Sequence, residues 1–507
     1  MNKFIIVMVF ILSLSFVFTF AENTQGRSPG RGFPRALMER SAGNFDPATY
    51  WNAMQEKSNW LIAGSVRLSS DSIITLQVTP GELSGIDDYE CQTCGETSRS
   101  KVRVGVSREL HIDVSFEDFT PESLPARALL HSRGMMQCAP GGGFTWTIAL
   151  ESRNATALRV HLTDFSLPPN ASLYIYNLEG EAFGPYTHLG PNKNGDFWTN
   201  TVFGSVVYVQ LHCFGSISQE ELHAIHFKIA GVGHLGPKFL LPFRQNLRKD
   251  DENLSRAAHH CSFNAPCVED AQCIDSSTFP AINHVRYGIA LMQWISGPYI
   301  YMCTGGLLGD LVPETQIPYF LTANHCISKN SDAQNLECYF RYWNAYCHAP
   351  CVSTGIYPRT LGARFLSGSK TNGDYTLLVL SQDPPAGSTF LGWDTAPVAF
   401  YHLVDLFRLS HPKGAPQAFS KHIVDTTLKT CKGLPRGKFI YSNTVIGATE
   451  SVSDGAPVVN IYGLVVGHFS GNCEYKKYDP CNYETYATLD GAFASYFPEI
   501  SKWLIPY

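Results

Sequence analysis

A histidine and an aspartate in one half of the chain have the surroundings that general-base chemistry requires. His325 follows the apolar run Leu321-Thr-Ala and directly precedes Cys326, so a disulfide there would hold the imidazole in place. A general base must lie within hydrogen-bond reach of the group that it deprotonates, and such anchoring suits that role. Asp374 opens the apolar run 375–380. A carboxylate at that point can orient the imidazole and stabilise its cation, whereas a lone aspartate before a strand is usually only a turn residue.

Several further segments, in the same order along the chain, resemble one protease family. The region from Cys261 to Trp503 resembles the lysyl endopeptidases and their bacterial trypsin-fold relatives. The resemblance rests on the segments Cys261–Cys267, Cys303–Leu307, Tyr319–Cys326, Tyr342–Asn344, Cys347–Pro350, Gly392–Asp394 and His411–Gly414. It implies two six-stranded β-barrels with the active site between them and His325 and Asp374 in that site. It also implies three disulfides, which are Cys303–Cys326, Cys261–Cys473 and Cys267–Cys347.

The chain departs from this family where the nucleophile should stand. The family has a segment of the type Thr-Glu-x-Gly-Ser-Ser-Gly-Ser-Pro, and this chain has Thr449-Glu-Ser-Val-Ser-Asp-Gly-Ala-Pro457. The two segments align without a gap, so Asp454 occupies the position of the nucleophilic serine. Val452 occupies the position of the glycine whose backbone N–H, together with that of residue 454, binds the oxyanion.

Both replacements should damage peptidase chemistry. A serine attacks because the histidine removes its proton, and an ionised aspartate has no such proton to give. Two carboxylates beside His325 should also keep the imidazole cationic. Valine resists backbone geometry that glycine tolerates, and loss of one oxyanion donor typically costs about a hundred- to a thousandfold in rate. The sequence therefore predicts a pseudoprotease.

Two alternative nucleophiles exist near this position. Ser453 could act if the turn shifted its register, although adjacent side chains point in different directions. The carboxylate of Asp454 could itself attack, as in some glycosidases and phosphatases. The sequence shows no acid partner, metal cluster or phosphate-binding loop that would support the second alternative.

The substrate-binding residues are harder to identify. The segment Gly467–Cys473 resembles the strand that pairs with a substrate backbone, which places His468 and Ser470 at the predicted specificity pocket. Glu484 lies in a segment that resembles the family's acidic position for a lysine side chain, where a charge-assisted hydrogen bond would form. The alternative is a surface glutamate near a disulfide loop, because Cys481 makes this loop differ from the family.

The sequence before the protease-like region also predicts strands, so we expect an all-β protein. Residues 60–235 contain period-2 apolar runs separated by turn residues, which is typical of a β-sandwich. Cys138 and Cys213 bracket the clearest runs and could pair. We expect a flexible leader over 22–59, a linker over 236–256 and a trypsin-like double β-barrel over 257–507. The basic residues of the linker are expected to be solvated, and the alternative is that the chain is processed at Arg248, Lys249 or Arg256.

The N-terminus and the cysteines indicate secretion. Residues 1–21 have a charged start, an apolar core and a small residue before the expected cleavage point, as in a signal peptide; a retained membrane anchor is the alternative. The chain has 15 cysteines, an odd number, so at least one is free or bound to another chain. Three acceptor patterns for N-glycosylation are present, at Asn154, Asn170 and Asn253. Cys91 and Cys94 are expected to form disulfides rather than a zinc site.

The net charge of −6 argues against a nucleic-acid-binding protein, since such domains usually carry a basic excess. The sequence predicts no cofactor, no metal site and no stable membrane anchor after signal removal. Three functions remain open. The first is a secreted non-catalytic homologue that binds a protein or peptide, with exposed Lys or Arg as the expected feature of that ligand. The others are an active secreted endopeptidase that cleaves after Lys or Arg, and a structural secreted glycoprotein.

Overall fold

The protein's structure is a computed structural model. It describes residues 33–65, 68, 73–83, 86, 97–98, 101–130, 134–139, 142–236, 264–312, 314–347, 349 and 357–506. Five of the predictions above lie outside these residues: the signal peptide, nearly all of the linker, the pair Cys91 and Cys94, the Asn253 acceptor, and Cys261.

Strands dominate the N-terminal region. Its strands are β1 Arg35–Ala36, β2 Glu39–Arg40, β3 Ile73–Leu76, β4 Thr97–Ser98, β5 Val102–Ser115, β6 Arg127–Leu130, β7 Gly134–Cys138, β8 Gly143–Ser152, β9 Ala157–Ser166, β10 Ala171–Tyr176, β11 Ala182–Tyr186, β12 Phe197–Trp198, β13 Val202–Phe203, β14 Val206–Phe214 and β15 His226–Leu235. Its helices are α1 Pro47–Gly64, α2 Pro80–Leu83 and α3 Gln219–His223.

The C-terminal region is also mostly strand. Its strands are β16 Glu269–Asp270, β17 Ile289–Ser296, β18 Tyr299–Leu308, β19 Tyr319–Ala323, β20 Glu337–Phe340, β21 Arg359–Leu361, β22 Ala363–Ser369, β23 Tyr375–Leu380, β24 Thr389–Phe390, β25 Trp393–Asp394, β26 Asp405–Ser410, β27 Ala418–Val424, β28 Phe439–Ile446, β29 Pro457–Val459, β30 Val465–Glu474 and β31 Tyr486–Ala492. Its α-helices are α4 Ile282–Val285, α5 Asn330–Ala333 and α6 Phe493–Leu504, and its 3₁₀ turns are Ala271–Cys273, Arg286–Gly288, Val398–Phe400 and Pro412–Gly414.

The predicted fold class, a trypsin-like double barrel, is confirmed. The second barrel is closed, because β30, β29, β26, β27, β28 and β31 pair in that order and β31 pairs back onto β30. The first barrel is a half-barrel built from β17 to β23, in which β18 pairs with both β17 and β19 and β23 pairs with both β19 and β22. The catalytic residues predicted from the sequence lie where these two units meet.

The N-terminal region is a sandwich of two sheets. One sheet has the order β11-β10-β14-β8-β7-β6, with β3 parallel to β8, and the other contains β12, β9, β15 and β5. Alternate side chains of β8, such as Trp146 and Ile148, point into one buried apolar cluster with Val160 of β9 and Phe227 of β15. This is the period-2 pattern that the sequence shows, and the sandwich core follows from it.

One sheet continues from the sandwich into the first barrel. Strand β5 pairs with β15 over the length from Gly105 to Ser115 and also with β18 through Val102, Arg103, Gly105 and Val106. The sandwich and the first barrel therefore share a ladder of backbone hydrogen bonds.

The predicted flexible leader is corrected for residues 33–59, which form regular structure. Strand β1 pairs with β25 and β2 pairs with β24, so both extend the protease-like half. At Gly392, a Cβ would lie 2.4 Å from the carbonyl oxygen of Ala36, so only glycine permits this approach. Helix α1 begins after Asp46, whose carboxylate accepts hydrogen bonds from two backbone N–H groups of the first turn, and Pro47 takes the first helical position.

The suggested Cys138–Cys213 pair does not form, and both thiols are free. Cys138 of β7 and Cys213 of β14 both lie opposite Phe144 of β8, on its two sides. They are thus two strand spacings apart, about 10 Å, which exceeds the reach of a disulfide. Buried Cys338 is a third free cysteine within the described ranges.

One disulfide implied by the resemblance is confirmed and two are wrong. Cys303 and Cys326 are bonded. Cys473 pairs with Cys431 rather than with Cys261, because the two share a buried cluster at the end of the second barrel. Cys347 pairs with Cys273 and not with Cys267, because Asn344 donates a hydrogen bond to Asp270 (2.8 Å) and holds the two loops together.

Cys267 is instead bonded to Cys481, the cysteine that makes the 479–485 loop differ from the family. In the described part of the chain, no helix has the length and apolarity to cross a membrane. Asn154 lies exposed in the turn between β8 and β9, and Asn170 lies half-buried before β10. Glycosylation at either asparagine stays a prediction.

Candidate active site

The structure brings the three predicted catalytic-position residues together. Nδ1 of His325 lies 2.7 Å from Oδ2 of Asp374, and the backbone N–H of His325 donates to Oδ1 of the same carboxylate. On the other side of the ring, Nε2 lies 3.5 Å from Oδ1 of Asp454. The imidazole thus stands between two carboxylates, and all three side chains are largely buried.

Two strands and a disulfide fix the histidine and its orienting carboxylate. His325 follows β19, and the next residue, Cys326, is bonded to Cys303 in the middle of β18. Asp374 precedes β23, which pairs with β19, and its carbonyl accepts a 2.6 Å hydrogen bond from the N–H of Asn324. Both residues thus lie at strand ends, where the sequence pattern places them, and their catalytic role stays a prediction.

Two buried residues of β30, His468 and Ser470, contact Asp374 through hydrogen bonds. The hydroxyl of Ser470 donates to Oδ2 of Asp374 (2.7 Å), and Nε2 of His468 lies 3.0 Å from its carbonyl oxygen. Nδ1 of His468 lies 3.0 Å from the hydroxyl of Tyr496. Both side chains are fully buried, so the predicted role in the specificity pocket becomes a positioning role toward Asp374.

The predicted acidic residue of the pocket, Glu484, is exposed in the turn that follows Cys481. The buried carboxylate of this barrel is Asp490 of β31, which lies opposite Phe469 of β30. Asp490 forms a buried ion pair with Arg408 of β26, and the guanidinium lies 4.5 Å from the centroid of the Phe469 ring. Sequence reasoning missed this pair, because nothing in the local pattern of either strand marks a charged residue as buried.

The electrostatics of the site favour a charged imidazole. Burial alone would lower the pKa of His325, but the carboxylates of Asp374 and Asp454 outweigh it and raise the pKa to about 10. At neutral pH the ring therefore already carries the proton that a general base would have to accept. The prediction of a cationic histidine agrees with this direction.

Val452 has the backbone geometry expected of the glycine that it replaces. Its φ angle is +76°, a region that β-branched residues rarely adopt, and its side chain is fully buried in an apolar cluster. The hydroxyl of Thr304 donates to the carbonyl of Val452 (2.7 Å), and the N–H of Thr304 donates to the carbonyl of Asp454 (2.9 Å). Strand β18 thus holds the turn at both residues.

The same turn decides between the candidate nucleophiles. The N–H of Ser453 donates to the carbonyl of Glu450, and the Ser453 side chain is fully buried. Asp454, not Ser453, is the residue that lies beside His325. Glu450 anchors the start of the turn through an ion pair with Lys413 (2.8 Å) and a hydrogen bond from the N–H of Ala265.

Within the described ranges, no group of three or more histidine, cysteine, aspartate or glutamate side chains is arranged to hold a metal ion.

Comparison with known proteins finds several that are similar to part of this chain. The lysyl endopeptidase of Pseudomonas aeruginosa is 29% identical over 305 residues, which are 58% of this chain and 61% of that protein. Among solved structures, the active form of the Rv3671c protease from M. tuberculosis has a TM-score of 0.31 at 13% identity, covering 47% of this chain and 91% of that one. The HtrA-type protease AlgW with a decapeptide has a TM-score of 0.32 at 14% identity, covering 45% and 67%.

The chain thus spans less than two thirds of the length of the Pseudomonas relative. The family model described as the C-terminal domain of lysyl endopeptidase matches residues 246–486, which contain His325, Asp374 and Asp454. Residues 246–486 are thus similar to the C-terminal domain of lysyl endopeptidase.

Proposed function

We propose that this protein is a secreted trypsin-like protease homologue that lacks peptidase activity and binds a protein or peptide at its cleft. The observation that carries the proposal is the position of the Asp454 carboxylate, 3.5 Å from Nε2 of His325. In an active site of this kind, that place belongs to a hydroxyl whose proton the imidazole removes.

The chemistry fails at three points in this arrangement. Asp454 offers a carboxylate in place of a hydroxyl, and a carboxylate is a poor nucleophile toward a peptide. His325, with its pKa raised to about 10, is protonated at neutral pH and cannot act as a base. Val452 puts a branched side chain at an oxyanion donor position in a backbone region that is strained for valine, and a shift of its N–H away from the oxyanion would cost about a hundred- to a thousandfold in rate.

The binding part of the proposal rests on what is retained. The hydrogen bond between His325 and Asp374, the support from Ser470 and the anchored 449–457 turn all persist without a nucleophile to position. The exposed carboxylate of Glu484 supports a ligand with exposed Lys or Arg side chains. Four disulfides in the described residues support secretion, because such bonds persist in oxidising compartments.

The test is cleavage of lysyl and arginyl peptide substrates by the purified full chain, before and after limited digestion with trypsin. A repaired variant, Asp454→Ser with Val452→Gly, is assayed beside it, and the same variant carrying His325→Ala is the matched control. We expect turnover only in the repaired protein, lost again with His325→Ala. Turnover by the natural chain that His325→Ala abolishes would instead identify a working endopeptidase.

A pulldown from the secreted fluid separates binding from a purely structural role. We expect a defined partner that competes with lysyl or arginyl peptides for the protein. Recovery of no partner, together with no measurable affinity for any such peptide, would leave the protease fold as a scaffold in a structural glycoprotein.

A further inference from the structure

One edge of strand β30 leads directly away from the catalytic residues. Ser470 donates to Asp374, and the carbonyl of Phe469 accepts a 2.7 Å hydrogen bond from the N–H of Gly455, next to Asp454. Strand β29 pairs with β30 only as far as His468, whereas β31 covers the opposite edge as far as Glu474. Beyond Phe469, whose backbone groups are bonded to Gly455 and Ala456, β30 therefore has a backbone edge on which an extended peptide could add as a strand.

This edge is occupied by the protein's own N-terminal region. Strand β4 pairs antiparallel with β30, with Ser98 opposite Asn472 and Thr97 opposite Cys473. Because the pairing is antiparallel, Ser98 lies nearer than Thr97 to the Ser470 end of β30.

The first barrel has a matching edge, and the same segment covers it. Val102 and Arg103 of β5 pair with Met302 and Tyr301 of β18. The next residue of β18, Cys303, is bonded to Cys326 beside His325. The ammonium group of Lys101 lies 4.3 Å from the centroid of the Tyr301 ring, which adds a cation–π contact on this side.

These two pairings join one short stretch of chain to both barrels. Ser98 pairs with the second barrel and Val102 with the first, and a step of four residues spans at most about 14 Å. Both anchor points lie within a few residues of the catalytic groups, on opposite sides of the cleft. An external peptide would pair with the edges of β30 and β18 in the same way, and so it meets a strand that is already in place.

We propose that Thr97–Ser98 and Lys101–Arg103 occupy the peptide-binding edges of the cleft as an internal ligand, which an external peptide must displace. This inference rests on the proposed peptide-binding function and adds its regulation. It also defines the class of ligand, namely an extended basic segment that pairs through its backbone with both barrels.

The test releases β4 and leaves the rest of the chain unchanged. In a variant with Thr97→Pro and Ser98→Pro, two backbone N–H groups are removed, one of which faces β30, because successive N–H groups of a strand point to opposite sides. The matched control, Thr97→Ala with Ser98→Ala, keeps both N–H groups. Hydrogen–deuterium exchange should be about tenfold faster in the proline variant than in the control at whichever of Asn472 and Cys473 directs its N–H toward β4, and unchanged at the one that faces β31.

Binding is measured with a fluorescein-labelled peptide that has the sequence of residues 95–104. We expect about tenfold tighter binding to the proline variant, because the competing internal strand no longer reduces the binding-competent fraction. If the proline and alanine variants have equal hydrogen–deuterium exchange rates and equal affinity for the peptide, the proposed internal ligand is wrong. Faster exchange without peptide binding would support the internal strand and contradict the proposed peptide-binding function.

A covalent trap tests the same contact in a chain that keeps its native backbone. Directly opposed residues of antiparallel strands are close enough for a disulfide, so Ser98→Cys with Asn472→Cys should form one during oxidative folding. Peptide mapping by mass spectrometry should recover the cross-linked fragment, and the trapped protein should bind the labelled peptide about tenfold more weakly than its reduced form. Absence of the cross-link in folded protein would overturn the proposed pairing.

Discussion

The guanidinium of Arg408 and the carboxylate of Asp490 form an ion pair in the second barrel, and both side chains are fully shielded from solvent. Burial raises the pKa of Asp490 to about 6 although Arg408 opposes it. His422 lies against the same guanidinium and is held neutral by burial, which lowers its pKa well below the ordinary value. The barrel interior thus contains one charge pair whose members depend on each other.

Removal of Arg408 should be strongly destabilising. In Arg408→Leu, the carboxylate of Asp490 remains buried without its cation, and breaking such a pair costs about 3–5 kcal/mol. The double variant Arg408→Leu, Asp490→Asn removes both charges and should recover a large part of that loss. Urea unfolding of the wild type, both single variants and the double variant measures the coupling; simple additivity of the two losses would contradict the expected coupling.

Stability should depend on pH through His325. Its folded pKa is raised to about 10 from 6.5, so its contribution is complete below about pH 6.5 and is lost as the pH rises toward 10. The Asp454→Asn variant removes one of the two carboxylates and should show a smaller decline over this range. The measurement is the free energy of unfolding from pH 6 to pH 10, with Glu484→Gln, at an exposed carboxylate, as the control.

An NMR titration measures the pKa of the His325 imidazole directly. We expect the His325 ring to remain protonated at pH 8 in the natural protein and to titrate at lower pH in Asp454→Asn. A ring that is neutral at pH 7 in the natural protein would contradict the proposed loss of the general base.

Substitutions at Val452 should show an unusual order of stability. Its φ of +76° is strained for valine but not for glycine, while its buried side chain contributes apolar packing. In Val452→Ala, most of the packing is lost and the strain remains, so we expect a loss of about 1–3 kcal/mol. In Val452→Gly the strain is relieved as the packing is lost, so thermal unfolding should rank this variant above alanine. The opposite order would mean that the turn is not strained.

Two glycines with similar backbone angles should differ sharply when replaced by alanine. A Cβ on Gly455 would lie 2.2 Å from Oγ1 of Thr322 and 2.3 Å from the carbonyl oxygen of Thr304, whereas a Cβ on Gly433 would meet no atom within 4 Å. Gly433→Ala should cost about 1 kcal/mol from its positive φ alone. Gly455→Ala should cost several times more and should also displace Asp454; comparable melting temperatures for the two variants would argue against close packing of the turn.

The sequence singled out residues that the structure places side by side, but it did not predict several features around them. His325 and Asp374 were identifiable because each stands at the end of an apolar strand, and the 449–457 segment aligned without a gap. The disulfide partners of Cys473 and Cys347 were not identifiable from the sequence, because pairing depends on which loops meet after folding, and local sequence does not contain that information. Proline and glycine composition suggested a flexible leader, but backbone pairing of β1 and β2 with distant strands gave residues 35–40 an ordered place.

The buried roles of His468 and Ser470 illustrate the same limit. Their strand was recognised from the sequence, and its resemblance to a substrate-binding strand suggested that both side chains line a pocket. Both side chains instead contact Asp374, because the barrel turns that face of β30 inward. The Arg408–Asp490 pair was missed for a related reason, since its two members lie 82 positions apart and meet only across the closed barrel.

Strand β5, which the sandwich shares with the first barrel, affects what happens when residues 257–507 are produced alone. Strand β5 covers the edge of β18 from Tyr299 to Met302, and a chain that begins at residue 257 would lack this cover. An uncovered strand edge is a template for pairing between molecules. We expect residues 257–507, expressed without the preceding region, to self-associate through β18. Light scattering measures this self-association. The N-terminal region would then protect the rest of the chain against aggregation.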